Sequence, residues 1–444
     1  MKKVVYSLII VLCVYSFVLA NDFEIKDGVL VSYTGAGPVV EIPNNVNTIG
    51  FEAFAKNKEV QKVIIPNSVT KIEPRAFAYT GLVSITIPKS VKVIPSECFI
   101  FCRSLESIET EGVEIIEYHA FEYCTLLSKV KLNEGLKEIH SHAFAECKEI
   151  KEMDFPNTLK SIGESAFLRT NIENLVLPDS VEILKRDAFR AMGIKTIKFS
   201  KKLKSLENMF SNCNSIEEVD IPDTIENLVN CFNYCDNLSY AKIPNNLKMY
   251  GMNFMFCPKM IIFNIPQKVE EYTTYTYANT NLKEAILPDG IERIRKKAFI
   301  SSPLLEDVIL PDSVKSIGEY AFSNCEKLKK INIPNKTSII YKGAFSNCKS
   351  LEEIILPDSI ETLASENFKE CISLKKVKLP KGLKEIRLKT FYYCESLSEI
   401  DIPYSVLKID AFSFRNTKLK KVVVNKDAII SKDAFPEDCE IIRK

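Results

Sequence analysis

The sequence predicts an α/β solenoid, in which short repeats stack along one axis and each repeat adds one strand to a parallel sheet. Two observations carry this prediction. A phrase of about 22 residues returns along most of the 444-residue chain, and a repeat of that length is typical of solenoids. Within the phrase, a short apolar run with period 2 precedes an irregular segment. The predicted solenoid is right-handed, with the sheet on its concave face and short helical or irregular segments on its convex side.

The first twenty residues differ from the rest of the chain. Lys2 and Lys3 precede an apolar run from Val4 to Val18, and the small residue Ala20 follows it. A basic start, a short apolar core and a small residue at the cleavage position describe a secretory signal peptide. An uncleaved membrane anchor is the alternative, although the run is short for a membrane span. We therefore expect cleavage after residue 20 and no membrane span in the mature chain.

Residues 21–42 are predicted to form a β-hairpin ahead of the repeats. The stretch from Phe23 to Pro43 contains two strand-like runs, and Asp27-Gly28 lies between them. Asp-Gly between alternating apolar runs is a strong signal for a two-residue hairpin turn.

Residues 43–444 are predicted to form an array of about eighteen repeats, because one aromatic position recurs every 21 to 23 residues. The aromatic residues at that position are Phe54, Phe77, Phe99, Phe121, Phe144, Phe167, Phe189, Phe210, Phe232, Phe254, Tyr277, Phe299, Phe322, Phe345, Phe368, Phe391, Phe414 and Phe435. One repeat alone cannot close a core, whereas stacked repeats bury these residues against each other.

Each repeat has two halves. In the stretch from Leu351 to Pro357, Ile354 and Leu356 have period 2, which predicts a short strand with one buried face. Proline ends that strand because it has no N–H for a sheet. The second half, such as residues 316–325, is too short for a stable isolated helix. We expect it to make a turn or one to two helical turns that place the aromatic residue behind the strands.

The phrase LPDSVKSIGEYAFSNCEKL, residues 310–328, resembles the repeat of the BspA-like leucine-rich repeat surface proteins, and the resemblance covers residues 43–444. It implies a leucine-rich-repeat solenoid in which the hairpin of residues 21–42 serves as the N-terminal cap. The family is associated with adhesion to host cells, matrix proteins or other microbes, so the resemblance also implies a secreted or cell-surface adhesion protein.

Cysteine recurs at one repeat position. The residues of this cysteine column are Cys102, Cys124, Cys147, Cys213, Cys235, Cys257, Cys325, Cys348, Cys371, Cys394 and Cys439. Three interpretations remain open: buried thiols that fit a tight inner turn, disulfides between adjacent repeats, and metal ligands. A linear column does not converge as metal ligands must, and the odd number of cysteines after residue 20 leaves at least one unpaired. The family resemblance favours free thiols.

Charges alternate in sign at the first outward position of the last strands. This charge ladder consists of Asp307, Lys330, Glu353, Lys376, Glu399 and Lys421. Opposite charges on facing strands stabilise their register, so we interpret the ladder as structural, with a polar contact surface as the alternative. Together with a net charge of +1, the ladder argues against nucleic acid or another polyanion as a partner.

The repeat pattern weakens from about residue 204 to residue 281, and this irregular block is rich in Met and Tyr. Tyrosine and methionine are common at contact surfaces. We therefore take Tyr240 and Ile262, on the predicted concave face, and Tyr272 and Tyr275, on the return path, as candidate ligand-binding residues. Neutral drift in a looser core is the alternative interpretation.

No catalytic motif emerges from the sequence, and we predict no enzyme activity, metal or cofactor. His119, His140 and His142 are the three histidines, and His119 and His142 occupy the same repeat position in adjacent repeats. We interpret these two as a solvated pair on the outer face, with a weak metal site that includes His140 as the alternative. The predicted function is protein binding or adhesion through an extended repeat surface outside the cell. The partner would be a protein or glycan on host cells, matrix or other microbes. Glycan or pathogen-surface recognition and a purely structural surface coat are the alternatives.

Overall fold

The computed structural model describes residues 22–260, 265–266 and 268–444. The predicted signal peptide, residues 1–20, lies outside the described residues. The chain divides into two compact units, with unit 1 ending at Leu159 and unit 2 running from Lys160 to Lys444. Each unit is a solenoid of parallel strands, and we call one complete repeat of a solenoid a rung. Among the described residues, no helix is long and apolar enough to cross a membrane.

Unit 1 contains twelve strands in its described residues. They are β1 (Phe23–Lys26), β2 (Val29–Tyr33), β3 (Val39–Glu41), β4 (Thr48–Ile49), β5 (Lys62–Ile64), β6 (Lys71–Ile72), β7 (Ser84–Ile87), β8 (Val93–Ile94), β9 (Ser107–Thr110), β10 (Ile115–Ile116), β11 (Lys129–Lys131) and β12 (Glu138–Ile139). Strands β3, β5, β7, β9 and β11 form one parallel sheet of three- and four-residue strands. Strands β8, β10 and β12 pair in parallel on a second side.

The predicted hairpin forms at the start of unit 1. Strands β1 and β2 pair antiparallel, and the turn residues Asp27 and Gly28 have φ of 47° and 78°. Positive φ at both central residues matches the twist of the flanking strands. Strand β2 then pairs in parallel with β4, and β4 pairs with β6. The hairpin therefore joins the sheet of short strands and covers the first rung.

Unit 2 contains twenty-four strands in its described residues. They are β13 (Ser161–Ile162), β14 (Asn174–Val176), β15 (Ile183–Leu184), β16 (Thr196–Lys198), β17 (Ser205–Glu207), β18 (Glu218–Asp220), β19 (Asn227–Val229), β20 (Tyr240–Lys242), β21 (Asn246–Gly251), β22 (Lys268–Tyr272), β23 (Glu284–Ile286), β24 (Arg293–Ile294), β25 (Asp307–Ile309), β26 (Ser316–Ile317), β27 (Lys330–Ile331), β28 (Ile339–Ile340), β29 (Glu353–Ile355), β30 (Thr362–Leu363), β31 (Lys376–Lys378), β32 (Glu385–Ile386), β33 (Lys408–Ile409), β34 (Lys421–Val424), β35 (Ile429–Ile430) and β36 (Glu440–Arg443).

The strands of unit 2 also fall on two sides of each rung. The side that the sequence predicted as the sheet holds β14–β16, β18–β20, β23–β25–β27, β29–β31 and β34–β36. The second side holds β13–β15, β17–β19–β21–β22, β24–β26–β28–β30 and β32–β33–β35. The sequence predicted one parallel sheet, and the structure therefore adds a second sheet that consists mostly of two-residue strands.

The predicted helical segments are wrong, and with them the α/β class: the described residues contain no α-helix, so the fold is an all-β solenoid. The rung of Phe77 shows the reason. The amides of Phe77 and Tyr79 donate to carbonyls of the next rung, whereas the amide of Ala78 donates within its own turn to Arg75. Arg75 and Tyr79 both have positive φ, at 59° and 61°. Every second amide of the segment thus donates to a carbonyl of another rung. An α-helix needs each of these amides to donate to the carbonyl four residues earlier in the same segment.

The core of each unit is an aromatic column. In unit 1, Phe77 stacks on Phe54 at 5.0 Å between ring centroids and on Phe99 at 5.2 Å. In unit 2, Phe322 stacks on Phe299 at 5.1 Å and on Phe345 at 5.5 Å. These rings are almost completely buried. The predicted repeat position therefore supplies one large apolar contact per rung.

Candidate interaction surfaces

The strand face of unit 2 is the outward side of the strands that the sequence predicted as its sheet. These strands are β14, β16, β18, β20, β23, β25, β27, β29, β31, β34 and β36. On the three-residue strands of this face the two outer residues are exposed, and the central residue is buried on all of them except β16, where it is half-buried. Ile354 between Glu353 and Ile355 is an example. This follows from the period-2 alternation of side chains along a strand. Two columns of side chains therefore reach solvent, one from the first and one from the third residue of each strand.

Three isoleucines share the third position and form what we call the isoleucine patch. Ile286 is 61% exposed, Ile309 is 49% exposed and Ile355 is 53% exposed. Ile286 lies opposite Ile309 in the register of β23 and β25. From Ile286 to Ile355 the patch spans three rung spacings, or about 14 Å. Isolated exposed apolar side chains need no explanation, but an aligned group of them indicates an interaction site.

Asn332 occupies the corresponding position between Ile309 and Ile355. Its side chain accepts a hydrogen bond from the amide of Leu310 at 3.1 Å and donates one to the carbonyl of Leu310, also at 3.1 Å. A groove of about 520 Å³ opens beside it, lined by Ile331, Asn332, Ile333 and Ile355 among others. The side-chain amide of Asn332, which is hydrogen-bonded to the backbone of Leu310, therefore interrupts the patch. A shallow apolar groove adjoins the patch.

Five of the six residues of the charge ladder lie at the first position of strands of this face. Asp307 faces Lys330 in the register of β25 and β27, and Lys376 pairs with Glu353 at 2.7 Å. Lys421 pairs with Glu440 at 3.6 Å. Glu399 lies outside any strand. These side chains are exposed, and each such pair contributes a few tenths of a kcal/mol.

The candidate residues of the irregular block are not brought together. Tyr240 is 53% exposed on β20, on the strand face. Tyr272 is half-buried on β22 and donates its hydroxyl to the carbonyl of Pro266 at 3.0 Å. Burial raises the pKa of Tyr272 to about 12. Tyr275 lies on a turn, where Lys297 Nζ donates to its hydroxyl at 2.9 Å. Ile262 lies outside the described residues.

The strand face of unit 1 has a different chemistry. A groove of about 910 Å³ runs along it and is lined by Ser84, Thr86, Ser107 and charged side chains. Lys131 pairs with Glu109 across one rung. Charges of both signs and small hydroxyl groups line most of this groove, and Ile64 is an exposed isoleucine among them. A single exposed isoleucine is a smaller apolar centre than the three of the isoleucine patch.

The cysteine column is a chain of buried thiols. Each column thiol from Cys102 to Cys394 is 3.0–3.2 Å from the carbonyl oxygen of the column phenylalanine of the preceding rung, to which it donates. The thirteen cysteines of the described residues are free thiols. Burial raises the pKa of Cys102 to about 11 and the pKa values of Cys213 and Cys325 to about 12. Cys102, Cys213 and Cys325 therefore stay neutral near pH 7, which disfavours metal binding and alkylation at these three thiols.

Several rungs without cysteine use another small donor at the same place, whereas the rung of Phe189 buries Met192 there. Ser302 donates to the carbonyl of Tyr277 at 3.0 Å, as the column thiols do. Thr80 and Thr170 are buried there and donate to the phenylalanine of their own rung. Cys439 does not share the column bond: it is half-buried, and its thiol is 3.9 Å from the carbonyl of Glu440. The position thus favours a small hydrogen-bond donor and does not require a thiol as such.

Thiol reactivity provides a direct test of this arrangement. In the native protein without residues 1–20, we expect a disulfide-exchange reagent to modify one thiol rapidly, at Cys439, because the other twelve described thiols are buried. After denaturation without a reductant, the reagent should have modified thirteen thiols in total. Cys439→Ser is the matched control and should abolish the fast phase. Fewer than thirteen thiols after denaturation would mean that disulfides exist and would contradict the free-thiol column.

Sequence reasoning missed the isoleucine patch. The period-2 pattern places Ile355 outward, between the inward residues Ile354 and Leu356, and the same is true of Ile286 and Ile309. An apolar residue at an outward strand position was the available signal. The prediction followed the first outward position, where charges alternate, and did not follow the third.

The repeats match a family model described as the BspA type leucine rich repeat region, with six copies, over residues 36–127, 102–210, 206–329 and 315–442. A solved leucine-rich repeat protein from Bacteroides ovatus ATCC 8483 is 25% identical, with a TM-score of 0.63, over 81% of this chain and 91% of that chain. A comparison with curated proteins found no match.

Two further solved structures are more distant. A leucine rich cell surface protein from Faecalibacterium prausnitzii A2-165 is 19% identical, with a TM-score of 0.34, over 96% of this chain and 91% of that chain. The pneumococcal vaccine antigen PcpA is 19% identical, with a TM-score of 0.43, over 94% of this chain and 91% of that chain.

Proposed function

The chain belongs to the BspA-type leucine-rich repeat family, and from that premise we propose that it is an extracellular, non-catalytic protein that binds another protein through the strand face of unit 2. One observation carries the proposal: three isoleucines stay exposed and aligned at the third strand position of this face. Other strands of the face carry charged residues at that position, for example Lys198, Asp220 and Lys378. The fully buried centre of a protein interface is more apolar than the remaining surface. The isoleucine patch therefore has the chemistry of such a centre.

The surroundings of the patch support a protein partner. Exposed ion pairs such as Lys376–Glu353 and Lys329–Glu306, at 2.7 Å and 2.9 Å, flank the isoleucines. A polar rim around an apolar centre is the usual anatomy of a protein–protein contact. Charges of both signs alternate along this rim, from Asp307 through Lys330 to Glu353, so it presents no field of a single sign to attract a polyanion.

The pattern of the first twenty residues supports the extracellular part of the proposal. Lys2 and Lys3 followed by the apolar run to Val18 have the pattern of a secretory signal. A protein-binding repeat surface outside the cell fits adhesion to host cells, matrix or other microbes, and we propose adhesion as its role. Because the candidate surface is open and centres on apolar side chains, we propose recognition rather than catalysis.

The test is binding of the purified protein to a panel of extracellular-matrix proteins, a glycan array, and whole mammalian and bacterial cells. We expect saturable binding to at least one panel protein or to a protease-sensitive component of a cell surface. Saturable binding to glycans, unaffected by protease treatment of the cells, would favour glycan recognition instead. No binding above background to any panel member would contradict the proposal and favour a structural coat.

A further inference from the structure

Two histidines stack on adjacent rungs of unit 1. His119 and His142 lie two residues before the column phenylalanines Phe121 and Phe144, and both have positive φ, at 57° and 59°. Their rungs are joined by the pairing of β10 with β12. Identical backbone conformations on paired rungs hold the two imidazole rings parallel, with centroids 4.9 Å apart and planes 9° apart.

Glu122 completes a cluster with the two histidines. One of its carboxylate oxygens is 2.8 Å from His119 Nδ1, and the other is 4.0 Å from His142 Nδ1. One nitrogen or oxygen atom from each of the three side chains lies within 4.8 Å of the others. His142 Nδ1 is buried and has no hydrogen-bond partner. A buried imidazole nitrogen without a partner costs free energy, and a metal ion would satisfy it.

From this geometry we propose that His119, Glu122 and His142 form a binding site for a divalent transition-metal ion of the Zn²⁺ class. Imidazole nitrogen and carboxylate oxygen are ligands of Zn²⁺ at about 2.0–2.2 Å, so the ligand atoms of a tetrahedral site lie about 3.3 Å apart. The ligand atoms here approach that spacing by rotation of partly exposed side chains, without movement of the rungs. The site contains no thiolate ligand. Two of its three ligands are nitrogen atoms, whereas Mg²⁺ and Ca²⁺ prefer oxygen ligands.

The proposed ion has two physical consequences. It ties two neighbouring rungs together at a turn, so it stabilises the folded state through binding that the unfolded chain does not share. Three protein ligands also leave one position open to water or to a donor group from another molecule. Metal affinity falls at low pH because protonated imidazole cannot bind the ion.

The test uses the purified protein after removal of any affinity tag and of metal with a chelator. We expect titration calorimetry with ZnCl₂ to detect a site of one ion per chain. His119→Asn and His142→Asn should each weaken that site by about 100-fold or more, since even loss of an outer-shell partner costs 10–100-fold. Asparagine tolerates the positive φ of both positions, so circular dichroism should show both variants folded. Zn²⁺ should raise the melting temperature of the unmodified protein and not that of the variants.

His140→Asn is the matched control. His140 lies two residues from His142 but contacts Glu138 through Nε2 at 3.0 Å, so its replacement should leave Zn²⁺ affinity unchanged. Co²⁺ in place of Zn²⁺ should give no thiolate-to-cobalt absorption band, which separates this site from the cysteine column. Absence of Zn²⁺ binding, or a one-ion site that survives in the His119→Asn/His142→Asn double variant, would overturn the proposal.

Discussion

Replacing Phe77 with alanine is expected to lower the free energy of unfolding by about 3–5 kcal/mol. Phe77 is fully buried, and its ring contacts Phe54 and Phe99 on both faces. Truncation removes both contacts and leaves a cavity that the rungs cannot close, because the amide of Phe77 is fixed to the carbonyl of Cys98. Urea unfolding of the purified protein, followed by circular dichroism, measures the loss.

Phe51→Ala is the control for Phe77→Ala. Phe51 lies in the same unit, but its side chain is largely exposed, so its loss should change the free energy of unfolding by no more than about 0.5 kcal/mol. Equal effects of the two substitutions would mean that the aromatic column does not hold the rungs together. That result would contradict the account of the core.

The second large effect concerns binding. The double substitution Ile286→Lys/Ile309→Lys is expected to weaken binding to the panel partner by about 100-fold or more, because two ammonium groups would enter the desolvated centre of the interface. Both isoleucines are about half exposed, so the variant should fold with the stability of the unmodified protein. Surface plasmon resonance against the panel protein that binds measures the change in Kd.

Val176→Lys controls for added charge at an exposed strand position. Val176 is the third residue of β14 and is half exposed, but it lies outside the isoleucine patch. We expect this variant to bind within about twofold of the unmodified protein. A loss of affinity as large as that of the double variant would show that positive charge anywhere on this face repels the partner, and the patch would lose its assigned role.

Much of the core could be predicted from the sequence because a solenoid repeats one environment. Phe322 and Cys325 recur at fixed positions since most rungs bury the ring and a small donor in the same place. The hairpin could be predicted equally well, because the dipeptide Asp27-Gly28 favours a two-residue turn by itself. In both cases the local residues determine the structure without reference to distant parts of the chain.

The turn segments could not be predicted in the same way. Residues 316–325 contain a two-residue strand, Ser316–Ile317, which is too short to show periodicity. The bonds that replace a helix, such as that from the amide of Phe322 to the carbonyl of Ala344, join residues one rung apart. Sequence reasoning within one repeat does not include those partners. It therefore favoured helical turns in segments whose amides in fact donate alternately within the turn and to the next rung.

The candidate site was predicted only in part. Tyr240 lies on the strand face, as expected, but Tyr272 and Tyr275 are half-buried. The hydroxyl of Tyr272 is hydrogen-bonded to the carbonyl of Pro266, and the hydroxyl of Tyr275 is hydrogen-bonded to Lys297. Irregularity of the repeat and richness in tyrosine indicated the irregular block. Neither feature reports whether a side chain points to solvent, and that depends on how each rung closes.

The central claim is that unit 2 binds a protein through its strand face, and site-directed photo-crosslinking tests it most directly. A photoreactive phenylalanine would replace Ile309 in one preparation and Leu388 in another. Leu388 is also partly exposed in unit 2, but it lies on a turn after β32. We expect the bound panel protein to crosslink from position 309 and not from position 388. Crosslinking from position 388 alone, or equally from both positions, would contradict the claim.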